Sequence, residues 1–324
     1  MARTIIITGH RLADAAMALA ADKGVKTILI EPYTPPDEIA AIAANEAAEA
    51  IIVRAAHITD TVICAASALK VIVKHGIGVD TIDVASATRQ GIPVLITQGA
   101  NAQSVAEHAF GLMFAVARSI ALLDRRMREG HWDKASSFGS ELSGKELGVV
   151  GLGSIGQALI ALARPLGMRI RGYDPFATSA IEGVEIVDDL DLLLRESDVV
   201  SLHCPLTDAN RHLINATRLA AMRPRAILIN TARGGLIDEA ALVAALERGT
   251  IAGAGLDCFS PEPPGGDTPL ARLPNVVMTP HVGANTIEAA ERVGLRAIQQ
   301  AVDVLDERPI DPGALINPSV FAPA

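Results

Sequence analysis

Short β-branched runs alternate with alanine-rich helical stretches along this chain, and they do so in two successive series. In the first hundred residues the runs over 4–8, 27–30, 50–54, 71–74 and 94–97 read as strands, with helical patterns over 12–23, 37–45 and 61–66 between them. Alternation at this spacing implies parallel strands, because each strand returns to its starting edge through a helical crossover and the helices then cover both faces. The second series has strands over 147–150, 169–173, 184–187, 199–203, 226–230, 254–257 and 276–279, with helices over 155–166, 190–195, 216–221 and 239–248. Aromatic residues make up only 3% of a chain that is half hydrophobic, so the core must be built from Ala, Val, Ile and Leu, which suits strands buried on both faces.

A chain of 324 residues exceeds one ordinary core and suits two domains. Between the two series, Val105, Ala109, Leu112, Met113 and Val116 recur at steps of three and four and predict one long helix over 102–128. A polar loop over 129–143 follows, and a final helix over 287–306 ends before Pro309. The expected fold is α/β, with two doubly wound parallel-sheet domains. Residues 1–100 with 287–324 form a discontinuous domain, and residues 101–286 are inserted into it.

The net charge of −9 comes with no dense Lys/Arg run, which argues against nucleic acid or an anionic membrane as partner. It does not exclude a small anionic substrate, which needs only a few local cations. Cys64, Cys204 and Cys258 lie far apart with no CxxC pair, so neither a disulfide framework nor a metal site is expected. The apolar run Ile5–Ile7 is too short for a signal peptide and no stretch is long enough to span a bilayer, so the expected location is the cytoplasm.

The segment Gly148-Val149-Val150-Gly151-Leu152-Gly153-Ser154-Ile155-Gly156 is a buried strand running into a glycine-spaced turn. Gly151 suits the tight turn, Gly153 lets the main chain approach a pyrophosphate, and Gly156 permits close helix–strand packing. Amides at the start of the following helix would receive the phosphate charge. The next strand ends in Asp174, about twenty residues beyond Gly156, where an acid binds the ribose hydroxyls and repels a 2′-phosphate. The spacing therefore predicts NAD. Arg169 and Arg171, just upstream, share one face of their strand and read as structural.

Three later strand ends carry reactive groups: Arg233 in Asn230-Thr231-Ala232-Arg233-Gly234-Gly235, Glu262 in the proline-rich loop after Asp257, and His281 after Thr279-Pro280. In open α/β sheets ligands bind beyond the carboxyl ends of the strands. A guanidinium offers a planar fork to a carboxylate, and a carboxylate beside an imidazole makes it a usable acid near neutral pH.

With these segments the chain resembles the D-isomer-specific 2-hydroxyacid dehydrogenase family. Within it, "LHCPLT" at 202–207, "NTARGGLIDE" at 230–239 and "TPHVGANT" at 279–286 are similar to the phosphoglycerate dehydrogenase and hydroxypyruvate reductase branch. The resemblance implies a Rossmann NAD-binding domain inserted into a flavodoxin-like substrate domain. It implies a catalytic triad of Arg233, Glu262 and His281, with His281 exchanging the hydroxyl proton while hydride passes between C2 of a small anionic D-2-hydroxy or 2-oxo acid and the nicotinamide. Cofactor contacts are implied at Gly151, Gly153, Ser154, Ile155, Gly156, Asp174, Cys204, Pro205, Thr231, Ala232, Arg233, Asp257, His281 and Gly283, with Asp257 approaching the carboxamide end.

Substrate contacts are implied at Arg54, Lys74, His75, Gly76, Ile77 and Gly78, together with Arg233 and His281. Gly76-Ile77-Gly78 is similar to the family's amide cradle for the substrate carboxylate. Lys74 stands where phosphoglycerate dehydrogenases carry arginine, and His75 where the family has a small residue, so a 3-phosphoglycerate-like and a glycerate/hydroxypyruvate-like substrate both stay open. The family implies a homodimer through the NAD-binding domain, with Trp132 reaching a partner. The chain ends soon after the last helix, which implies a short form without the C-terminal serine-sensing module. A competing reading is a catalytically weak NAD(H)-sensing regulatory protein on the same fold.

Overall fold

The alternation read from the sequence folds into two all-parallel sheets. The computed structural model describes residues 3–177 and 179–321, and the chain divides into two units, Met1–Asn101 with Asn285–Ala324, and Ala102–Ala284.

The first unit runs β1 (Arg3–Thr8), α1 (Asp14–Asp22), β2 (Val25–Ile30), α2 (Pro36–Asn45), β3 (Ala50–Val53), α3 (Asp60–Ala65), β4 (Val71–Lys74), α4 (Val84–Arg89) and β5 (Val94–Ile96). Its five strands lie in the order β2-β1-β3-β4-β5, the flavodoxin-like arrangement. Alternate side chains of each strand enter different cores. Ile6, Ile51, Val53 and Ile72 pack with α2 and α3 residues such as Ile39 and Val62. Ile5, Ile7, Ile52, Val71 and Val73 pack with Ala16 of α1 and with Ala297, Ile298 and Ala301 of the C-terminal helix Ile287–Leu305. The helix α4 was not foreseen. Its six residues are too few to show a period, and it starts where Asp83 Oδ1 accepts the Ser86 amide at 2.8 Å.

The second unit runs α5 (Ala102–Ala117), α6 (Ile120–Arg128), β6 (Glu146–Val150), α7 (Ser154–Ala163), β7 (Arg169–Tyr173), β8 (Val184–Ile186), α8 (Leu190–Glu196), β9 (Val199–Leu202), α9 (Ala216–Ala221), β10 (Ile227–Asn230), α10 (Glu239–Glu247), β11 (Gly253–Leu256) and β12 (Val276–Met278). The chain then returns to the first unit as α11 (Ile287–Leu305). The seven strands lie in the order β12-β11-β10-β9-β6-β7-β8, the Rossmann order with one added strand. The order reverses at β6, whose carboxyl end carries the glycine turn; such a switch point is where α/β sheets bind ligands. One face packs Leu147, Val149 and Ile229 against α5 and α7, and the other packs Val200, Leu202 and Leu228 against residues from α8 to α10.

The single helix expected over 102–128 is instead two, α5 and α6, bent by 63°. Ser119 takes a left-handed φ of 52°, and the Ala117 carbonyl accepts the Ser140 amide at 2.8 Å instead of continuing the helix. A Cβ on Gly139 would stand 2.9 Å from that carbonyl, so only glycine lets the loop approach this closely. The apolar rhythm runs across the break and hides it. No residue of α6 is buried. Among the described residues, no single helix is long and apolar enough to cross a membrane.

Candidate active site

The glycine turn is shaped as its spacing requires. Gly151 has φ 95°, and a Cβ there would lie 2.7 Å from the Cys204 amide nitrogen, so the loop after β9 rests directly on the turn. A Cβ on Gly156 would come within 2.2 Å of the Gly151 carbonyl oxygen, whereas one on Gly153 would enter open space. Gly153 is the N-cap of α7 and has no capping side chain, and Ser154 is exposed. The first amides of α7, including those of Ser154 and Ile155, therefore face outward as an anion site.

Asp174 Oδ2 accepts the Leu152 amide and Oδ1 the Phe176 amide, both at 2.9 Å, fixing the carboxylate beside the turn. Burial, with the Asp174 charge adding to it, pushes the Cys204 thiol up to about 11, so it is neutral there. Pro205 follows on the exposed side, its carbonyl accepting from Asn210 Nδ2 at 2.7 Å. Arg169 pairs with Glu146, and Arg171 with Glu185 and Glu196, so both belong to the sheet's own ion pairs.

The strand ends of β10, β11 and β12 are brought together. Asn230 organises the first loop: its Oδ1 accepts the Ala232 amide at 3.0 Å and its Nδ2 donates to the Arg233 carbonyl at 2.8 Å. The Arg233 guanidinium donates to the Ala232 carbonyl at 2.6 Å. A Cβ on Gly234 would lie 2.0 Å from the Phe259 carbonyl carbon, so the Arg233 loop and the Glu262 loop touch main chain to main chain. Thr231 is 7% exposed and its Oγ1 has no partner among the described residues. A buried hydroxyl without a partner, at the same carboxyl edge of the sheet as the glycine turn, fits a dinucleotide with polar groups at both ends.

Glu262 Oε1 accepts the Phe259 amide at 2.9 Å, and Oε2 stands 2.7 Å from His281 Nδ1. Burial alone would raise this carboxyl. The His281 hydrogen bond, the Phe259 amide and the charges of His281 and Arg233 outweigh it, and the net shift is downward. With Glu262 ionised, Nδ1 carries the proton and donates it, which leaves Nε2 free for exchange.

His281 itself has φ 52°, and the turn that holds it is clamped by Asp257, which is 1% exposed. Asp257 Oδ1 accepts from Thr279 Oγ1 at 2.6 Å and the Val282 amide at 2.9 Å; Oδ2 accepts the Gly283 amide at 2.8 Å. His108 of α5 adds an imidazole nitrogen 3.3 Å from Oδ1 and 2.8 Å from Thr279 Oγ1. Burial raises the Asp257 carboxyl, but these donors together hold it below its ordinary value. His108 and Thr279 were missed in the sequence; the only trace was a histidine among the apolar positions of α5. Glu239, also missed, accepts the Ser260 amide at 2.7 Å and so ties down the loop that carries Glu262. Burial and the nearby Glu262 charge raise the Glu239 carboxyl.

In the first unit, Arg54, Lys74 and His75 cluster at the ends of β3 and β4. The Arg54 guanidinium donates to the carbonyls of His10 and Arg11, and Lys74 Nζ donates to the Arg54 carbonyl at 3.0 Å. Burial lowers the His75 imidazole to about 3, with the charges of Arg54 and Lys74 adding to it, so it is neutral. Gly76 has φ 134°, and its amide is already engaged by the Lys74 carbonyl and Thr97 Oγ1, both at 2.9 Å. The amides of Ile77 and Gly78 have no partner among the described residues.

Comparison with known proteins agrees with this geometry. Residues 110–283 match the family described as D-isomer specific 2-hydroxyacid dehydrogenase, NAD binding domain. A hydroxypyruvate reductase of Thermotoga maritima is 47% identical over 255 residues, 78% of this chain and 83% of that one. A D-3-phosphoglycerate dehydrogenase of Methanocaldococcus jannaschii is 46% identical over 262 residues, 80% of this chain but half of the relative's length. The crystal structure of a glyoxylate reductase from Paecilomyes thermophila superposes with a TM-score of 0.84 at 29% identity, covering 97% of each chain. Rossmann strand order, an outward-facing glycine turn and the matched segment converge: this chain belongs to the D-isomer-specific 2-hydroxyacid dehydrogenase family, with its NAD-binding domain in the second unit.

Proposed function

We propose that the protein interconverts a small anionic D-2-hydroxy acid and its 2-oxo acid, and the observation that carries this reading is the 2.7 Å contact between Glu262 and His281 Nδ1. Bound NAD(H), held by the glycine turn with Asp174 at its ribose, supplies or accepts the hydride. In the reducing direction protonated His281 donates from Nε2 to the carbonyl oxygen; in the oxidising direction neutral Nε2 takes the hydroxyl proton. Glu262 holds the tautomer and stabilises the imidazolium in both. Arg233 pairs with the substrate carboxylate and polarises the carbonyl. The Ile77 and Gly78 amides bind carboxylate oxygens, and Arg54 and Lys74 supply charge for an anionic tail.

The substrate class favoured is glycerate/hydroxypyruvate-like or 3-phosphoglycerate-like. The decisive experiment is a panel of 2-oxo acids, with and without phosphate or sulfonate tails, run with NADH and with NADPH. Turnover with hydroxypyruvate or a tailed analogue and a preference for NADH is expected. Tight NADH binding without turnover on any member would overturn the dehydrogenase reading in favour of a sensor.

We further propose a homodimer through the second unit. Ile120 and Met127 of α6 and the nearby Trp132 and Phe138 are 53–90% exposed, too much apolar surface to leave facing water. Light scattering on the wild type and on Ile120→Glu checks this; identical masses for the two would refute it.

A further inference from the structure

Cys258 is a buried thiol for which the proposed reaction has no use. It follows β11, donates weakly to the Ala232 carbonyl at 3.3 Å, and is 2% exposed. Its Sγ, a Glu262 carboxylate oxygen and a His281 ring nitrogen all lie within 4.8 Å of one another. No metal-ligand motif announces this trio, because its members come from two different strand ends, Cys258 and Glu262 after β11 and His281 after β12. We propose that Cys258, Glu262 and His281 form a binding site for a soft divalent cation such as Zn²⁺, and that its occupancy switches the enzyme off.

The donor set is one sulfur, one nitrogen and one oxygen, which suits Zn²⁺ and not Mg²⁺. Three protein ligands leave the fourth tetrahedral position for water. The ligands sit on fixed main chain: the Gly234–Phe259 contact holds the loop of Cys258, the Phe259 amide holds Glu262, and Asp257 clamps the turn of His281. On coordination the S–H bond breaks, a metal–sulfur bond forms and the proton leaves to solvent. The same event replaces the His281–Glu262 hydrogen bond, and with it the proton-transfer pair. Burial, together with the charges of Glu262 and Asp257, pushes the free thiol far up, so it is protonated until a cation arrives. Arg233 faces the same groups and opposes a cation, whereas Asp257 and Glu239 favour one. The site is therefore weaker than a closed structural zinc site.

The binding claim stands on geometry; the inhibition claim rests on the reaction proposed above, so the two are measured separately. Equilibrium dialysis of the full chain with ZnCl₂ should give one Zn²⁺ per chain, and ZnCl₂ but not MgCl₂ should abolish NADH oxidation by the preferred 2-oxo acid. Cys258→Ala should keep basal activity while weakening both effects at least about tenfold, since losing even an outer partner of a metal ligand costs that much. Cys258→Ser, closer in volume, provides the same comparison should the alanine variant fold poorly. Zinc sensitivity unchanged in either variant, binding that vanishes instead in Cys64→Ser, or no binding at all would overturn the site. Binding that depends on Cys258 in a protein without turnover would support the site and count against the dehydrogenase reading.

Discussion

At the ends of β10, β11 and β12, polar side chains hold one another. Glu262 fixes His281, Asp257 collects Thr279, His108 and two amides, and Asn230 shapes the loop of Arg233. At the ends of β3 and β4 in the first unit, Arg54 and Lys74 are instead held by main-chain carbonyls of His10, Arg11 and Arg54. The first arrangement fixes where a proton can go. The second fixes where positive charge sits. Substitutions in the second unit should therefore act on kcat or on folding, and those in the first on KM.

The largest effect is expected at His281. His281→Ala should lower kcat about a hundredfold or more while NADH affinity, followed by fluorescence titration, stays near wild type. Equal losses in both would make the residue structural. Next comes Asp257→Asn, which puts an amide group where four donors converge. It should lose about 2–3 kcal/mol of stability in denaturant titration, the scale of a buried charged acceptor. Full stability with a shifted cofactor KM would assign Asp257 to the carboxamide contact instead. Arg54→Ala should raise KM about tenfold for a substrate with an anionic tail, one charge-assisted hydrogen bond's worth, and leave glyoxylate unaffected. A fall in kcat for both substrates would dissolve the contrast between the two units.

The last contrast concerns pH. Burial holds His75 of the first unit at about 3 and His203 of the second at about 4, so both are neutral when folded. Unfolded imidazoles protonate near about 6.5, so below that pH the unfolded chain binds more protons. Their contribution is complete above that value and is lost as pH falls toward 4 and then 3. The lowered carboxyls of Glu262 and Asp257 lose theirs only below the ordinary carboxylate range, and the raised Glu239 carboxyl works the other way, adding stability as pH falls, so a net loss between 6.5 and 4 reports the imidazoles. Denaturation midpoints should drop across that window, and His75→Asn should make the drop shallower. A midpoint flat from pH 7 to pH 4 would refute this.

The strands were legible because buried parallel strands must be short, aliphatic and regularly spaced, and nearly all begin and end within a residue or two of the expected positions. The side chains proposed as reactive stood out because each lies in a loop that follows such a strand. What the sequence hid depended on partners distant along the chain. The break at Ser119 is made by Ser140 taking a carbonyl; the clamp on His281 needs His108 from α5. The Gly76 amide looks available in a list of residues and is already claimed by Thr97.

The contact of Gly234 with Phe259 acts as a fixed ruler. No side chain of any size fits between those two main chains, so the distance from the Arg233 Cα to the Glu262–His281 pair cannot be adjusted by loop drift. On the proposed reaction, adaptation to a shorter or longer substrate must then come from the length of the side chain at 233. The shorter reach of lysine at 233 should therefore favour a bulkier acid over glyoxylate.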